Sequence, residues 1–558
     1  MSEMIKITFQ DNSVNEYPKG TKLIDISKKF QHLYKTDILG AIVNNELKEL
    51  WKEINSDCNV VFIDRTTSYG NRFYSRSLAF LFIIAAKEVF NGCRVTVEHS
   101  LSKGFYCEVH KNGYKEIPLT EEDVKKIEDK MKELVEMDIP FEKNRLDNSE
   151  AAALFEKTGQ DDKIRLLKYR QKSYMNVYSC YGYYDYFYGY MVPSTGYLKL
   201  FELKHYSPGL ILRFPEKRNP TVLPEFVEQR KLFNIFREFE HWGKIMELND
   251  VSNLNDAISE GRINELIHIA EALHEKKIAQ IADMITQSKD KKKLVLIAGP
   301  SSSGKTTFAQ RLSIQLRVNG IRPVAISLDD YFKNREDTPK DESGEYDFET
   351  IEAIDINTFN DVMSRLIKGE EVEIPTFNFH TGMREWRGKK LKIDEDQVII
   401  VEGIHGLNEA LSKNIPKERK FKVYVSALTH LSVDNHNRIP TSDLRLLRRI
   451  VRDFQFRSQD ALSTIKRWDS VRRGEDTFIY PFQEEADVMF NSSLVYELCI
   501  LKNIALPQLL KISNEVPEYI EAKRLVKFLN YFLPVEGDDV PFNSILREFI
   551  GKSCFFEK

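Results

Sequence analysis

The nine residues 299–307, Gly299-Pro300-Ser301-Ser302-Ser303-Gly304-Lys305-Thr306-Thr307, constrain this chain more than any other stretch. They follow a five-residue apolar run, Leu294-Val295-Leu296-Ile297-Ala298, and precede a helix-compatible segment beginning near Phe308. A buried strand, a glycine-rich turn and a helix in that order make a phosphate-cradling loop: the glycines let backbone N–H groups converge, and the helix start adds its positive dipole end. Gly299, Ser301, Ser302, Ser303, Gly304, Lys305, Thr306 and Thr307 are therefore the expected nucleotide-binding residues. In this chemistry the Lys305 ammonium reaches the outer phosphates and the Thr306 hydroxyl serves Mg²⁺. The fold implied for this region is an α/β layer structure with a parallel sheet flanked by helices.

Two further apolar strands end in acids. Residues 323–327 run into Leu328-Asp329-Asp330-Tyr331, and residues 398–401 run into Glu402-Gly403. Carboxylates at the carboxyl ends of parallel strands face the crevice where open α/β sheets bind ligands. One can accept a hydroxyl proton while another attends the metal; the alternative is plain surface charge. Arg445, Arg448, Arg449 and Arg452 recur at spacings of three and four, with Arg457 beyond. That spacing predicts one helical side rich in guanidinium groups, a lid able to close over phosphates.

The marks GPSSSGKTT, SLDDYF, YDFETIEAID, IPTFNF, VIIVEGIHGL and RRIVRD follow one another between residues 294 and 491. In order and spacing this region resembles the uridine kinase and phosphoribulokinase family of P-loop kinases. The resemblance implies ATP, or GTP, as phosphoryl donor with Mg²⁺, Asp329 as catalytic base, and Glu402 as a magnesium-associated acid. It also implies Arg452 and Arg457 at phosphate-contacting lid positions with Lys305, and Arg449 near a sugar. Asp330, Tyr331, Glu349, Phe377, Phe379 and His380 join Arg449 as expected acceptor-side positions. The base-reading features depart from that family: Glu349-Thr350-Ile351 stands where an Asp-His-Pro stretch is expected, His380 is displaced by two residues, and Gln459 replaces a lid arginine.

With 558 residues, several cores are required, at roughly 150 residues each. Residues 1–64 alternate short strands around one helix; their YPKGTKLIDI stretch resembles the TGS domain, a small β-grasp module of threonyl-tRNA synthetases. Residues 65–240 resemble the second, editing-type domain of threonyl- and alanyl-tRNA synthetases through residues 119–123 and the VPSTG segment at 192–196. That family's metal site needs two histidines on an early helix and a Cys and a His before VPSTG. Here residues 74–80 hold no histidine, and Phe187 and Met191 occupy the later positions. A ring and a thioether are poor zinc ligands, so neither zinc nor hydrolytic editing is expected. The tyrosine-rich run 174–197 reads as a packed strand cluster, with base stacking the alternative. Residues 241–290 form a helical connector, residues 291–494 the kinase-like domain, and residues 495–558 a helical tail whose close, 544–551, docks against another domain.

The net charge of −4 excludes wholesale nucleic-acid coating without excluding a local basic patch. Six scattered cysteines suit a reducing compartment, and the longest apolar run, 78–86, is far short of the ~20 residues that span a bilayer. A cytoplasmic protein with no membrane partner is expected, with homo-oligomerisation left open. The leading expectation is a kinase with a nucleoside as small-molecule acceptor. The alternatives are a kinase of another ribose-like or sugar-phosphate alcohol, and an RNA- or ribosome-associated NTPase switch in which the N-terminal modules bind RNA.

Overall fold

Ile5, Ile7 and Phe9 alternate with more exposed neighbours along β1 (Met4–Phe9) and bury one face of the N-terminal sheet. β1 pairs antiparallel with β2 (Val14–Pro18) and parallel with a later strand, β5 (Cys58–Ile63). β3 (Gly40–Val43) and β4 (Glu46–Lys48) complete the order β2-β1-β5-β3-β4. Helix α1 (Leu23–Phe30) buries Leu23 and Ile26 against this sheet, making a two-layer α/β unit with its own core. The coordinates are a computed structural model that describes residues 3–111, 117–288, 292–340, 344, 346–347, 349–378, 380–429 and 431–556. Phe379, among the expected acceptor-side residues, lies outside them.

The apolar run 78–86 sits within α2 (Ser68–Val89), whose start Thr67 caps by accepting from the Gly70 N–H. This helix is buried nearly all round, as its continuous hydrophobicity requires. Two antiparallel sheets surround it, one built on Arg94–Leu101 and Gly104–His110, the other on Tyr174–Cys180. Phe187 and Met191 are core residues here, the Phe187 ring 5.4 Å from that of Phe80. The tyrosine run is mostly packed: Tyr178, Tyr186 and Tyr188 are buried, whereas Tyr181 and Tyr184 reach solvent. Among the described residues no helix is long and apolar enough to cross a membrane.

The region 241–290 holds the end of the helix Arg230–Ile245 and two further helices, Val251–Ser259 and α3 (Ile263–Thr286). The break between the latter two falls at Gly261, whose positive φ of 77° ends the helix Val251–Ser259. α3 lies along α4 (Lys305–Val318), where Glu271 and Glu275 take the buried Arg311 guanidinium. Leu254, Ile267 and Ile278 of this segment lie in the main hydrophobic core.

The C-terminal sheet is wholly parallel, in the order β7-β8-β6-β9-β10: β6 (Leu294–Ala298), β7 (Arg322–Ser327), β8 (Gln397–Glu402), β9 (Lys420–Ser426) and β10 (Val488–Asn491). β6 and the interior of β8 are continuous apolar runs because both faces are covered. α5 (Thr441–Phe456), α6 (Ala461–Phe478), α7 (Glu497–Leu509), α8 (Tyr519–Leu529) and the short α9 (Arg547–Ile550) follow. One hydrophobic cluster runs from Ala151 and Phe155 through Ile267 and Val295 to Ile545 and Phe549 in the tail. At the same junction Lys163, fully buried, lies 3.0 Å from Asp434 and 3.1 Å from Asp185. Burial opposes its charge, but Asp185, Asp434 and Asp162 together outweigh that and hold the ammonium protonated.

Candidate active site

β6 ends at Ala298 and the chain must leave the sheet through a space that only glycine fits. A Cβ on Gly299 would collide with the Val425 carbonyl of β9. Ser302 and Gly304 then adopt left-handed backbone, with φ of 58° and 82°. Such a turn gathers successive N–H groups into a concave anion seat at the start of α4. Lys305 opens that helix, its Nζ donating to the Pro300 carbonyl at 3.2 Å. Thr306 Oγ1 donates to Glu402 Oε1 at the end of β8, 3.2 Å away.

Asp329 follows β7 in the 3-10 turn Leu328–Tyr331. The residue is exposed at the strand end, while the protein packed around it desolvates its carboxylate. That desolvation, then Glu402 and Asp330, raises its pKa to about 6 against the opposing pull of Lys305. Desolvation likewise raises Glu402, with Lys305 and the Thr306 hydroxyl resisting and Glu548 adding to it. Asp329, Glu402, Lys305 and Thr306 thus meet at the carboxyl edge of three adjacent parallel strands. Glu349 joins them: burial and then Glu475 push it to about 7, opposed by Arg449 and Lys305.

The arginine-rich helix α5 requires a correction. Arg445 and Arg448, expected on the lid face, are 0% exposed. Arg445 is clamped by Glu475 of α6 (Nη2 to Oε2, 2.7 Å) and donates to the Ser301 carbonyl; Arg448 is clamped by Glu497 (Nε to Oε2, 2.6 Å) and donates to the Ser302 carbonyl. Guanidinium groups buried so deeply need carboxylates, and here the pairs brace the loop from behind. Glu475 also accepts from the Ser301 N–H at 3.0 Å. Arg449, Arg452 and Arg457 instead share Asp453, at 3.4, 3.3 and 3.6 Å, and Arg449 Nη1 donates to Ser301 Oγ at 2.9 Å. Desolvation, with repulsion among the three, lowers the pKa of Arg452 and Arg457.

Two expected acceptor-side residues are core residues. Tyr331 is buried against Phe359, ring centroids 5.2 Å apart, and Phe377 packs on Phe332 at 5.6 Å, because both belong to the apolar cluster under β7. Asp330 accepts from the Phe377 N–H at 3.1 Å and so ties the hairpin to the turn. His380 is exposed between Thr376–Asn378 and Met383–Glu385, its N–H donating to the Asn378 side chain.

The docking partner of the tail is the phosphate loop itself. Glu548 Oε2 accepts from the Thr307 N–H at 3.2 Å and from Thr307 Oγ1 at 2.8 Å. Ile545 abuts Gly304, and the Phe549 ring lies under the Arg448 guanidinium at 4.9 Å. A carboxylate of the chain's own thus engages the N–H and hydroxyl of Thr307 at the start of α4. Glu475 and Glu548 were not identified from sequence; the one local pattern that involves either is the i,i+3 spacing of Arg472 and Glu475 on α6.

The Thr306 hydroxyl and the Glu402 carboxylate are hard oxygen donors that fit Mg²⁺, which prefers few protein ligands together with water and phosphate oxygens.

Residues 294–497 match the Phosphoribulokinase / Uridine kinase family. The C-terminal region carries a domain of that family. The N-terminal region of this chain, which joins that kinase-family domain, matches threonyl-tRNA synthetases. Identity is 32% over 204 residues with threonine–tRNA ligase 1 of Bacillus subtilis (strain 168), covering 36% of this chain and 31% of the relative. With the threonine–tRNA ligase of Parabacteroides distasonis it is 30% over 219 residues, covering 39% and 33%. The chain thus spans about a third of the length of the curated relatives it matches. Among solved structures it is similar to a possible uridine kinase from Bacillus stearothermophilus, with 20% identity and a TM-score of 0.27, over 39% of this chain and 98% of that one.

Proposed function

We propose that this protein is an ATP-dependent kinase that transfers the γ-phosphoryl group to a hydroxyl of a nucleoside, in the cytoplasm. The observation that carries the reading is the convergence of Lys305, Thr306, Asp329 and Glu402 on one sheet edge inside a kinase-family domain. In this reading the loop holds the triphosphate and Lys305 neutralises charge on the transferring group. Asp329 is mostly ionised at neutral pH and retains enough basicity to take the acceptor's hydroxyl proton as the oxygen attacks in line. Thr306 and Glu402 hold Mg²⁺, which when bound neutralises the phosphate oxygens. Arg449, Arg452 and Arg457, gathered on Asp453, supply donors to phosphate oxygens. Glu349, with its pKa near 7, is suited to hydrogen-bond a sugar hydroxyl in either protonation state.

The two N-terminal modules act in this reading as TGS-like and editing-like scaffolding for the kinase. The test is turnover of Mg-ATP and Mg-GTP by the full chain across a panel of nucleosides, ribose-like alcohols and sugar phosphates. Stimulation by a nucleoside is the expected result. Stimulation only by a sugar phosphate moves the acceptor class, and uniform basal hydrolysis raised only by RNA overturns the kinase reading.

A further inference from the structure

A second recess lies where the N-terminal sheet, the editing-like module and the tail meet. It is a cavity of about 510 Å³, within the size range of small-molecule sites. Its wall carries eight cationic side chains and a single carboxylate, Glu46. Four of the cations have acid partners: Arg72 with Glu521, Lys143 with Glu49, Lys523 with Glu46, and Arg524 with Asp443. The other four, Arg76, Arg170, Lys172 and Lys527, have no carboxylate within ion-pair distance among the described residues.

Three of these four are held in place by backbone carbonyls. Arg76 Nη1 donates to the Tyr190 carbonyl, Arg170 Nε to that of Tyr174 and Lys527 Nζ to that of Tyr188, each at 2.9 Å. A carbonyl fixes the head of a cation without neutralising it, and a guanidinium so held keeps further donors to offer. The resulting positive field is visible in its effect on Lys527. Desolvation, and then the like charges of Lys143, Arg170, Arg76 and Lys172, lower its pKa to about 7. Unbalanced cations confined together are costly to the fold unless an anion meets them. The remaining wall is flat and apolar: Tyr69, Phe73, Tyr188 and Tyr190 supply rings, with Phe73 and Tyr190 stacked at 5.5 Å.

We propose that this cavity is a binding site for a small organic phosphate bearing a planar ring, its phosphate met by Arg76, Arg170 and Lys172, its ring by the tyrosines, with the Lys527 amine beside it. The site is separate from the phosphate loop: none of its lining residues belongs to residues 294–497.

Pyridoxal 5′-phosphate is a probe of this chemistry, a planar ring with a phosphate and an aldehyde. The neutral amine of Lys527 adds to the aldehyde carbon, water leaves, and borohydride reduces the imine to a stable secondary amine that peptide mapping locates. At pH 7 the full chain is expected to be labelled at Lys527, with half-saturation at about tenfold lower concentration than for pyridoxal, which lacks the phosphate. Any label on Lys305 maps to a different peptide. The double change Arg170→Gln, Lys172→Gln is expected to abolish the preference for the phosphorylated aldehyde at Lys527. If that variant fails to fold, the comparison of the two aldehydes on the unaltered chain still decides. Equal labelling of Lys527 by both aldehydes, or no preference for Lys527 over exposed lysines such as Lys6, overturns the proposal.

Discussion

Thr307 cannot offer its N–H and its hydroxyl to a nucleotide while Glu548 holds both, so replacing Glu548 with alanine should tighten nucleotide binding. The two bonds, at 3.2 and 2.8 Å, join a partly exposed carboxylate to neutral donors. Charge-assisted bonds of this kind are worth about 1.5–3 kcal/mol when well shielded, and partial exposure reduces the pair to about 1–2 kcal/mol. If nucleotide must displace the tail, its apparent affinity is lowered by the fraction of molecules in which the tail is seated. Glu548→Ala should therefore lower the Kd for Mg-ATP by about five- to thirtyfold. The same contact enters a second measurement with the opposite sign: without nucleotide, the variant should be less stable than the parent by that same ~1–2 kcal/mol. Calorimetric titration with Mg-ATP and denaturant unfolding of the free protein test the two halves. A folded Glu548→Ala variant whose affinity is unchanged or weaker would refute the competition.

Asp329→Asn is expected to reduce kcat by about a hundred- to ten-thousandfold while leaving Mg-ATP affinity nearly unchanged, measured by acceptor-dependent turnover and titration. Because the base must be ionised, turnover of the unaltered protein should fall as the pH drops below about 6, where Asp329 takes up its proton. Lys305→Ala should cost on the order of a hundredfold or more in phosphoryl transfer with the unfolding transition unmoved; near-normal turnover would contradict the loop assignment. Lys163→Met should destabilise the chain by ~3–5 kcal/mol, read by denaturant unfolding, because it leaves the fully buried Asp434 without its ammonium partner. Metal analysis of the purified chain should find no stoichiometric zinc, since Phe187 and Met191 occupy positions where ligands would be needed; one zinc per chain would refute this.

The phosphate loop, its strand and its helix were legible in sequence because each rests on local rules: an apolar run of strand length, glycines where a side chain would clash, and a helix start. The same holds for Asp329 and Glu402, placed by the ends of apolar strands. The roles of the arginines were not legible. Spacings of three and four do put Arg445, Arg448, Arg449 and Arg452 near one another, but which of them is buried depends on Glu475 and Glu497, more than twenty residues away. The packing of Tyr331 and Phe377 was not legible for a related reason: an aromatic residue beside a strand-end carboxylate reads as a ligand contact until the core beneath β7 is known. The interlocking of the N-terminal modules with the kinase rests on pairs such as Lys163 with Asp434, 271 residues apart, and no local pattern announces them.

The seat of Glu548 on Thr307 also has a temporal side. The two residues are separated by 241 positions, and a chain lengthening at roughly 5–20 residues per second takes on the order of ten to fifty seconds to cover that distance. Throughout that interval the loop 299–307 has left the peptidyl-transferase centre, while the residue that occupies it has yet to be made. The braces of that loop at Glu475 and Glu497 are made before Glu548, so the growing chain can assemble the loop while Thr307 still has no carboxylate of the tail upon it.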